Sequence, residues 1–253
     1  MRLLIVIVDY RTPELARKAV ETANDARGEG ELVVLVDTSE DRSLRTTGWA
    51  SKPHTLIHAG PVGYAGGINA ALARIHTDPE FVLITNADVE FPDKADLNRL
   101  IRHAGKHPTV GVIGPRQVTP DGRIAHAGIP QLGDSTGGRW YGQPDYGQGL
   151  DTFEHMPQVS GSVMLLRLEA LTAIGGAFPS PAHLYFEDAE LCRRLREEGW
   201  LTAYDGSVTF IHHVAGSPEP PAGRARLAHE AAAAFRTHPS TSTGGVYVFT
   251  TNG

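Results

Sequence analysis

Residues that could carry chemistry stand in this sequence where apolar runs stop. The run FVLIT at 81–85 ends in Asn86-Ala87-Asp88, with Glu90 close behind. The run at 3–8 ends in Asp9-Tyr10-Arg11, and the run at 32–36 ends in Asp37. A carboxylate set at a strand tip can hold a hard cation, and the cation can hold phosphate oxygens. Turn formation accounts for any one of these residues, since Asx side chains are common after strands. Three acids at three tips mark a candidate site.

Two later segments could complete it. His212-His213 offers imidazole nitrogen, and an ion shared between Asp88 and a neutral histidine would unite distant parts of the chain. That oxygen and nitrogen mixture suits manganese at least as well as magnesium. Neighbouring strand residues point to opposite faces, so at most one of the two rings enters a crevice from a regular strand. Asp188 either caps a helix or acts as a general base, removing the proton from an acceptor hydroxyl.

The elements that must position these residues follow from the pattern. Unalternating apolar runs at 3–8, 32–36 and 81–85 read as strands buried on both faces of a parallel sheet, with shorter strands at 55–58 and 110–113. Between them lie amphipathic helices, the first opened by Thr12-Pro13 and a later one spanning 93–107. Strand and helix alternate in the doubly wound manner, in which ligands bind beyond the carboxyl ends of the strands. A strand at 163–166, a short helix at 168–174, a helix at 187–198 with Gly199 as its left-handed cap, and a strand near 207–211 follow. A proline-rich break at 217–221 precedes a terminal helix at 223–235 and a Ser/Thr/Gly tail.

Two stretches are glycine-rich. Gly63, Gly66 and Gly67 lie at a helix start, where free amides favour an anion, although neither a G-x-G-x-x-G nor a G-K-[ST] pattern occurs. Residues 128–157 have few aliphatic side chains and carry Trp140, Tyr141, Tyr146 and Phe153, which reads as a mobile loop on the acceptor side.

Composition narrows the class. With 253 residues, 41% of them hydrophobic and 21% charged, the chain can bury one large core. A formal charge of −6 argues against a nucleic-acid binder. The single cysteine, Cys192, excludes an internal disulfide and fits a reducing compartment. The opening apolar run is too short for a signal peptide, and no run has the length of a membrane span. These features lead us to expect a cytoplasmic protein, or one peripheral to the inner face of the membrane.

The ordered segments IVIVDYRTPEL, LVVLVDTSED, GYAGGINAAL, FVLITNADVEF, VGVIGPRQVTPDG, VSGSVMLLRLEAL, YFEDAELCRRLREEGW and FIHHVAGS resemble a family 2 glycosyltransferase of the GT-A fold, in its small, bacterial rhamnosyltransferase-like branch. The resemblance implies an α/β, Rossmann-like, mixed but mostly parallel sheet in one catalytic domain, 1–217. Its nucleotide-sugar half would be 1–108 and its acceptor half 109–217, with 218–253 as a C-terminal helix and tail. By the same resemblance, Asp9, Tyr10, Arg11 and Asp37 border the nucleotide, Gly67 and Asn69 support the diphosphate side, and Asn86-Ala87-Asp88 replaces the D-x-D metal motif. Asp88 and His212 become ligands of Mn2+ or Mg2+, with His213 the alternative. Glu187-Asp188 matches the motif whose aspartate is the base in inverting members.

Three positions depart from the family pattern: Asn86 for the first aspartate of the metal motif, Asp9 for asparagine or threonine, and Leu168 for an arginine after Arg167. The implied activity is inverting, metal-dependent transfer of a sugar from a dTDP-, UDP- or GDP-sugar to a glycan, lipid-linked or small-molecule hydroxyl. The alternatives are a sugar-nucleotide nucleotidyltransferase, which would carry a basic glycine loop after the first strand, and a non-catalytic nucleotide-sugar-binding protein.

Overall fold

Apolar runs without alternation become central strands because a sheet covered on both faces leaves neither side for water. In a computed structural model, described over residues 1–41, 44, 49–133, 138–147, 149–179 and 186–214, all seven residues of β1 (Leu3–Asp9) are buried. Leu3, Ile5 and Ile7 join the core on one face, and Leu4, Val6 and Val8 the core on the other. Helices α1 (Pro13–Ala26) and α3 (Lys94–Lys106) cover the first face through Ala16, Ala19, Val20, Leu97, Leu100 and Ile101. Helices α2 (Gly63–Arg74), α4 (Leu168–Ala173) and α5 (Glu187–Glu197) cover the second through Ile68, Ala71, Leu171, Leu191 and Leu195.

One half of the sheet is parallel. Strands β2 (Leu32–Asp37) and β4 (Phe81–Asn86) flank β1, and β3 (Thr55–His58) lies outside β2. Because successive strands go to opposite sides of β1, a crevice opens at its carboxyl end. The other half is mixed. Strand β9 (Val163–Arg167) runs antiparallel between β4 and β6 (Val110–Val118), and β10 (Leu201–His212) runs parallel to β6. Two-residue β5 (Val89–Glu90) closes the edge against β10, while β7 (Ile124–His126) and β8 (Phe153–His155) pair with β6 and β10.

Several local expectations hold. Asp93 caps α3, accepting from the Asp96 amide at 2.9 Å. Gly199 at φ 83° ends α5, its own amide bonding Arg196 and that of Trp200 bonding Leu195, the Schellman arrangement.

Others need correction. Thr12 stands at the N-cap of α1, but its side chain makes no capping bond; its hydroxyl donates to Asp9 instead. The last strand begins at Leu201, well before 207, and carries an irregularity between Asp205 and Thr209. There Gly206 lies so close to Leu150 that a Cβ would sit 1.6 Å from its carbonyl oxygen. Nor are the described residues of 128–157 weakly anchored: Ile129, Leu150 and Met156 are buried, the last two around Tyr204, and β8 adds a rung to the sheet. The terminal helix at 223–235 and the tail lie outside the described residues, as do 134–137 and 148.

Candidate active site

The turn after β4 is held from both sides. The Asn86 amide donates to the Ser162 carbonyl at 3.1 Å, and the Ala87 amide to the Val8 carbonyl at 3.0 Å. Asp88 follows and is buried. Because β5 begins at the next residue and pairs with the end of β10, His212 comes opposite Val89, and the His213 amide donates to the Asp88 carbonyl at 2.9 Å. His212 Nε2 thereby reaches 3.4 Å from Asp88 Oδ1, with both side chains buried. The His213 ring goes to Glu90, Nε2 to Oε1 at 2.7 Å. The pleat thus separates the two histidines, and His212 is the one that faces Asp88.

The pair fits a divalent ion. Ligand bonds of about 2.1 Å put two neighbouring donors roughly 3 Å apart, close to the separation found. Among the described residues no group of three or more His, Cys, Asp and Glu gathers around a common point. Water or diphosphate oxygens would have to complete the coordination shell.

Asp188 occupies the second position of α5, whose N-cap is Phe186 in the left-handed conformation at φ 66°. Asp188 therefore does not cap the helix. Its Oδ2 accepts from the Gly161 amide at 3.0 Å and its Oδ1 from its neighbour Ala189 at 2.8 Å. Burial raises its pKa, and these two amides pull it part of the way back. Glu187 beside it is buried.

The loop that meets Asp188 is braced from below. Ser162 Oγ donates to Gln117 Oε1 at 2.7 Å and lies 2.7 Å from Ser160 Oγ, all three side chains being buried. Tyr64, early in α2, sends its hydroxyl to the Gly161 carbonyl at 2.5 Å. Burial pushes its pKa well up, and the carboxylates of Glu187, Asp188 and Asp88 push it further. Neither Tyr64 nor Gln117 is singled out by sequence, because their partners lie 97 and 45 residues away.

At the tips of β1 and β2, Asp9 and Asp37 sit side by side in register and are 1% and 0% exposed. Asp9 accepts from the Thr12 hydroxyl at 2.5 Å and the Thr12 amide at 3.2 Å. Burial moves its pKa from 3.8 to about 6 against those bonds, with Asp37 and Asp41 adding to the rise. Asp37 accepts from the Ser39 amide and hydroxyl and lies 2.8 Å from His58 Nδ1. Both carboxylates are therefore internal struts of the tips. Tyr10 and exposed Arg11 form the accessible surface there, with Arg11 over the Tyr10 ring and paired to Glu40 at 2.7 Å.

Two further residues are placed differently from expectation. Gly67 is the fifth residue of α2, beyond the first-turn amides that a helix leaves free. Its missing side chain lets the helix close on the sheet, since a Cβ would meet Thr38 Cγ2 at 2.9 Å and Val8 Cγ1 at 3.0 Å. The Asn69 amide group is engaged with Phe178, donating to its carbonyl at 2.9 Å and accepting from its amide at 2.7 Å.

Residues 4–175 match the model of glycosyl transferase family 2. The chain belongs to that family. An N-acetylglucosaminyl-diphospho-decaprenol L-rhamnosyltransferase of Mycobacterium tuberculosis is 29% identical over 192 residues, 68% of this chain and 61% of that protein. A curated relative from Sinorhizobium fredii is 28% identical across 80% of this chain, and only 23% of that protein is covered. Among solved structures, a mannosyltransferase of Pyrobaculum calidifontis with GDP-Man and Mn2+ superposes with a TM-score of 0.59 at 16% identity, over 95% of this chain and 72% of that one. The S. aureus TarS fragment 1-349 with UDP-GlcNAc gives 0.55 at 16% identity, over 83% and 57%. At these identities the likeness to solved structures establishes the GT-A fold of this family 2 chain. Among the described residues no helix is long and apolar enough to cross a membrane.

Proposed function

We propose that this family 2 chain is an inverting glycosyltransferase that moves a sugar from a nucleoside diphosphate to an acceptor hydroxyl. The observation that carries the reading is that one loop joins the two carboxylates: Asp88 faces His212 across β5 and β10, the Ser162 carbonyl accepts from Asn86 two residues before Asp88, and the adjoining Gly161 amide bonds Asp188. Residues 1–108 would hold the donor and 109–217 the acceptor. Arg11 and Tyr10 would meet the nucleotide, with Asp9 and Asp37 holding the tips behind them.

In the proposed reaction, the acceptor oxygen attacks the anomeric carbon from the face opposite the diphosphate. Asp188 takes the hydroxyl proton, and the bond to the diphosphate breaks with its electron pair leaving on oxygen. Desolvation, by raising the Asp188 pKa, makes it a stronger base than an exposed aspartate. Asp88 and His212 would hold Mn2+ or Mg2+, which would offset the charge growing on the departing diphosphate. Glu187 orients Asp188 or the acceptor.

The relatives and neighbours bear on the substrates. The mycobacterial relative's name specifies a rhamnosyl transfer to a polyprenyl-diphosphate-linked sugar, and the structural neighbours were solved with GDP and UDP sugars. A dTDP-, UDP- or GDP-sugar donor with a lipid-linked glycan acceptor follows, and with it a place at the cytoplasmic face of the membrane. The test is donor turnover with and without Mn2+ on dTDP-rhamnose, UDP-N-acetylglucosamine and GDP-mannose, followed by NMR of the product's anomeric coupling. Inverted configuration and metal dependence are expected. Nucleotide exchange with pyrophosphate would favour the nucleotidyltransferase, and binding without turnover a non-catalytic role.

A further inference from the structure

We infer that Tyr64 is a positioning residue for Asp188, acting through the two peptide groups that meet at Gly161. The inference rests on reading Asp188 as the base. The Tyr64 hydroxyl donates to the Gly161 carbonyl at 2.5 Å, and the Gly161 amide donates to Asp188 Oδ2 at 3.0 Å. The residue whose backbone amide reaches Asp188 from outside α5 is therefore held by a side chain from the donor half of the chain.

A hydrogen bond accepted at a backbone carbonyl fixes the orientation of the loop and polarises its neighbours in the same network. The approach at Gly161 is tight: a Cβ there would lie 3.2 Å from Asp188 Cβ and would push Asp188 aside. The loop consequently approaches α5 through bare backbone, and Tyr64 is the side chain that grips it from the α2 side. The α2 helix is itself tied to the same half of the molecule. The Tyr64 ring meets Phe178 edge-on at 6.1 Å, and Asn69 bonds both the amide and the carbonyl of Phe178. Movement of α2 on donor binding would thus be transmitted to the Asp188 carboxylate, coupling occupancy of one half to alignment of the base in the other.

The test is a double-mutant cycle of Tyr64→Phe and Asp188→Asn in the full chain. Phenylalanine keeps the ring and its contact with Phe178 and removes only the hydroxyl. Turnover is measured on whichever of dTDP-rhamnose, UDP-N-acetylglucosamine and GDP-mannose the parent hydrolyses fastest with Mn2+. The Gly161 amide resonance is followed in parallel by proton–nitrogen NMR, which needs no substrate. The proposal expects Tyr64→Phe to lower kcat about tenfold with little change in donor KM. It expects no further loss on adding Tyr64→Phe to Asp188→Asn, because the two act as one unit. The Gly161 amide proton should move upfield in Tyr64→Phe, as its bond to the carboxylate loosens. An unchanged Gly161 resonance, or kcat losses that simply multiply, would overturn the role of Tyr64. Full turnover by Asp188→Asn would overturn the base assignment instead, and the NMR result would still decide whether Tyr64 controls the bond to Asp188.

Discussion

The two halves of the sheet build their share of the cleft in opposite ways. On the donor side, β3, β2, β1 and β4 run parallel, and each tip residue lies beside its neighbour by register alone: Asp9 by Asp37, Asp37 by His58, Val8 by Asn86. The bonds that fix Asp9 and Asp37 come mostly from residues two or three positions away, Thr12 and Ser39. On the other side, Asp88 meets His212 and Asp188 meets Gly161 across separations of 124 and 27 residues, the first only because β5 and β10 pair antiparallel. Local chemistry hardens the tips into scaffold, whereas long-range pairing assembles the groups proposed to react. The half richest in tip acids is therefore the one whose acids are sealed from the cleft.

The sharpest break in this contrast is Asp188→Asn, which preserves size and removes basicity. Turnover should fall by about 10²–10⁴ with donor binding nearly intact. In the parent, kcat should decline as pH falls through the raised Asp188 pKa, above the range of an ordinary aspartate, and this acid limb should vanish in the variant. Steady-state kinetics across pH checks both outcomes.

Asp88→Ala should come next. Nucleoside diphosphates should stabilise the parent against heat more strongly with Mn2+ than without, by an amount set by concentration over affinity. The variant should lose that metal-dependent increment while keeping its own melting transition. An unchanged increment would remove Asp88 from the ion site.

Glycine substitutions compare the packing of the halves. Gly206→Ala sets a Cβ 1.6 Å from a backbone oxygen, so the chain must shift, and a loss beyond about 3 kcal/mol is expected. Gly67→Ala meets two side-chain methyls at 2.9 and 3.0 Å and should cost about 1–3 kcal/mol. Urea unfolding would rank them, and the reverse order would mean that α2 is the more rigid support.

An effect of similar size, but opposite sign, tests the scaffold reading of the donor tips. Asp9 has a folded-state pKa of about 6 against 3.8 in the open chain, so its protonated form favours the native state. Its contribution to stability is present in full below about pH 4, is lost as pH rises to about 6, and stays lost above. Asp9→Asn should therefore stabilise the protein at pH 7 by up to about 3 kcal/mol and leave it unchanged near pH 4. Equal stabilisation at both pH values would show that Asp9 is ionised without strain.

Much of this architecture was legible in the chain itself. Runs buried on both faces cannot alternate, so β1, β2 and β4 announce themselves, and their ends locate Asp9, Asp37 and Asp88 at one edge. The Gly199 cap was equally readable, because only a left-handed residue closes a helix in that way. Glu187 and Asp188 could be placed at the start of α5 from its apolar spacing.

What the sequence could not determine was which side chains face one another. A two-residue strand such as β5 has no periodicity to detect, yet it decides that His212, and not His213, looks at Asp88. The anchoring of 128–157 escaped composition because three buried residues, Ile129, Leu150 and Met156, suffice when Tyr204 and the bulged turn at Gly206 are there to receive the loop. Asp37 was readable as a tip acid, but its burial depends on His58 arriving from a strand 21 residues later. Strand identity is written in local hydrophobic pattern, which each segment carries alone. The facing of side chains is set by register and by contacts between distant segments, which exist only once the sheet has formed.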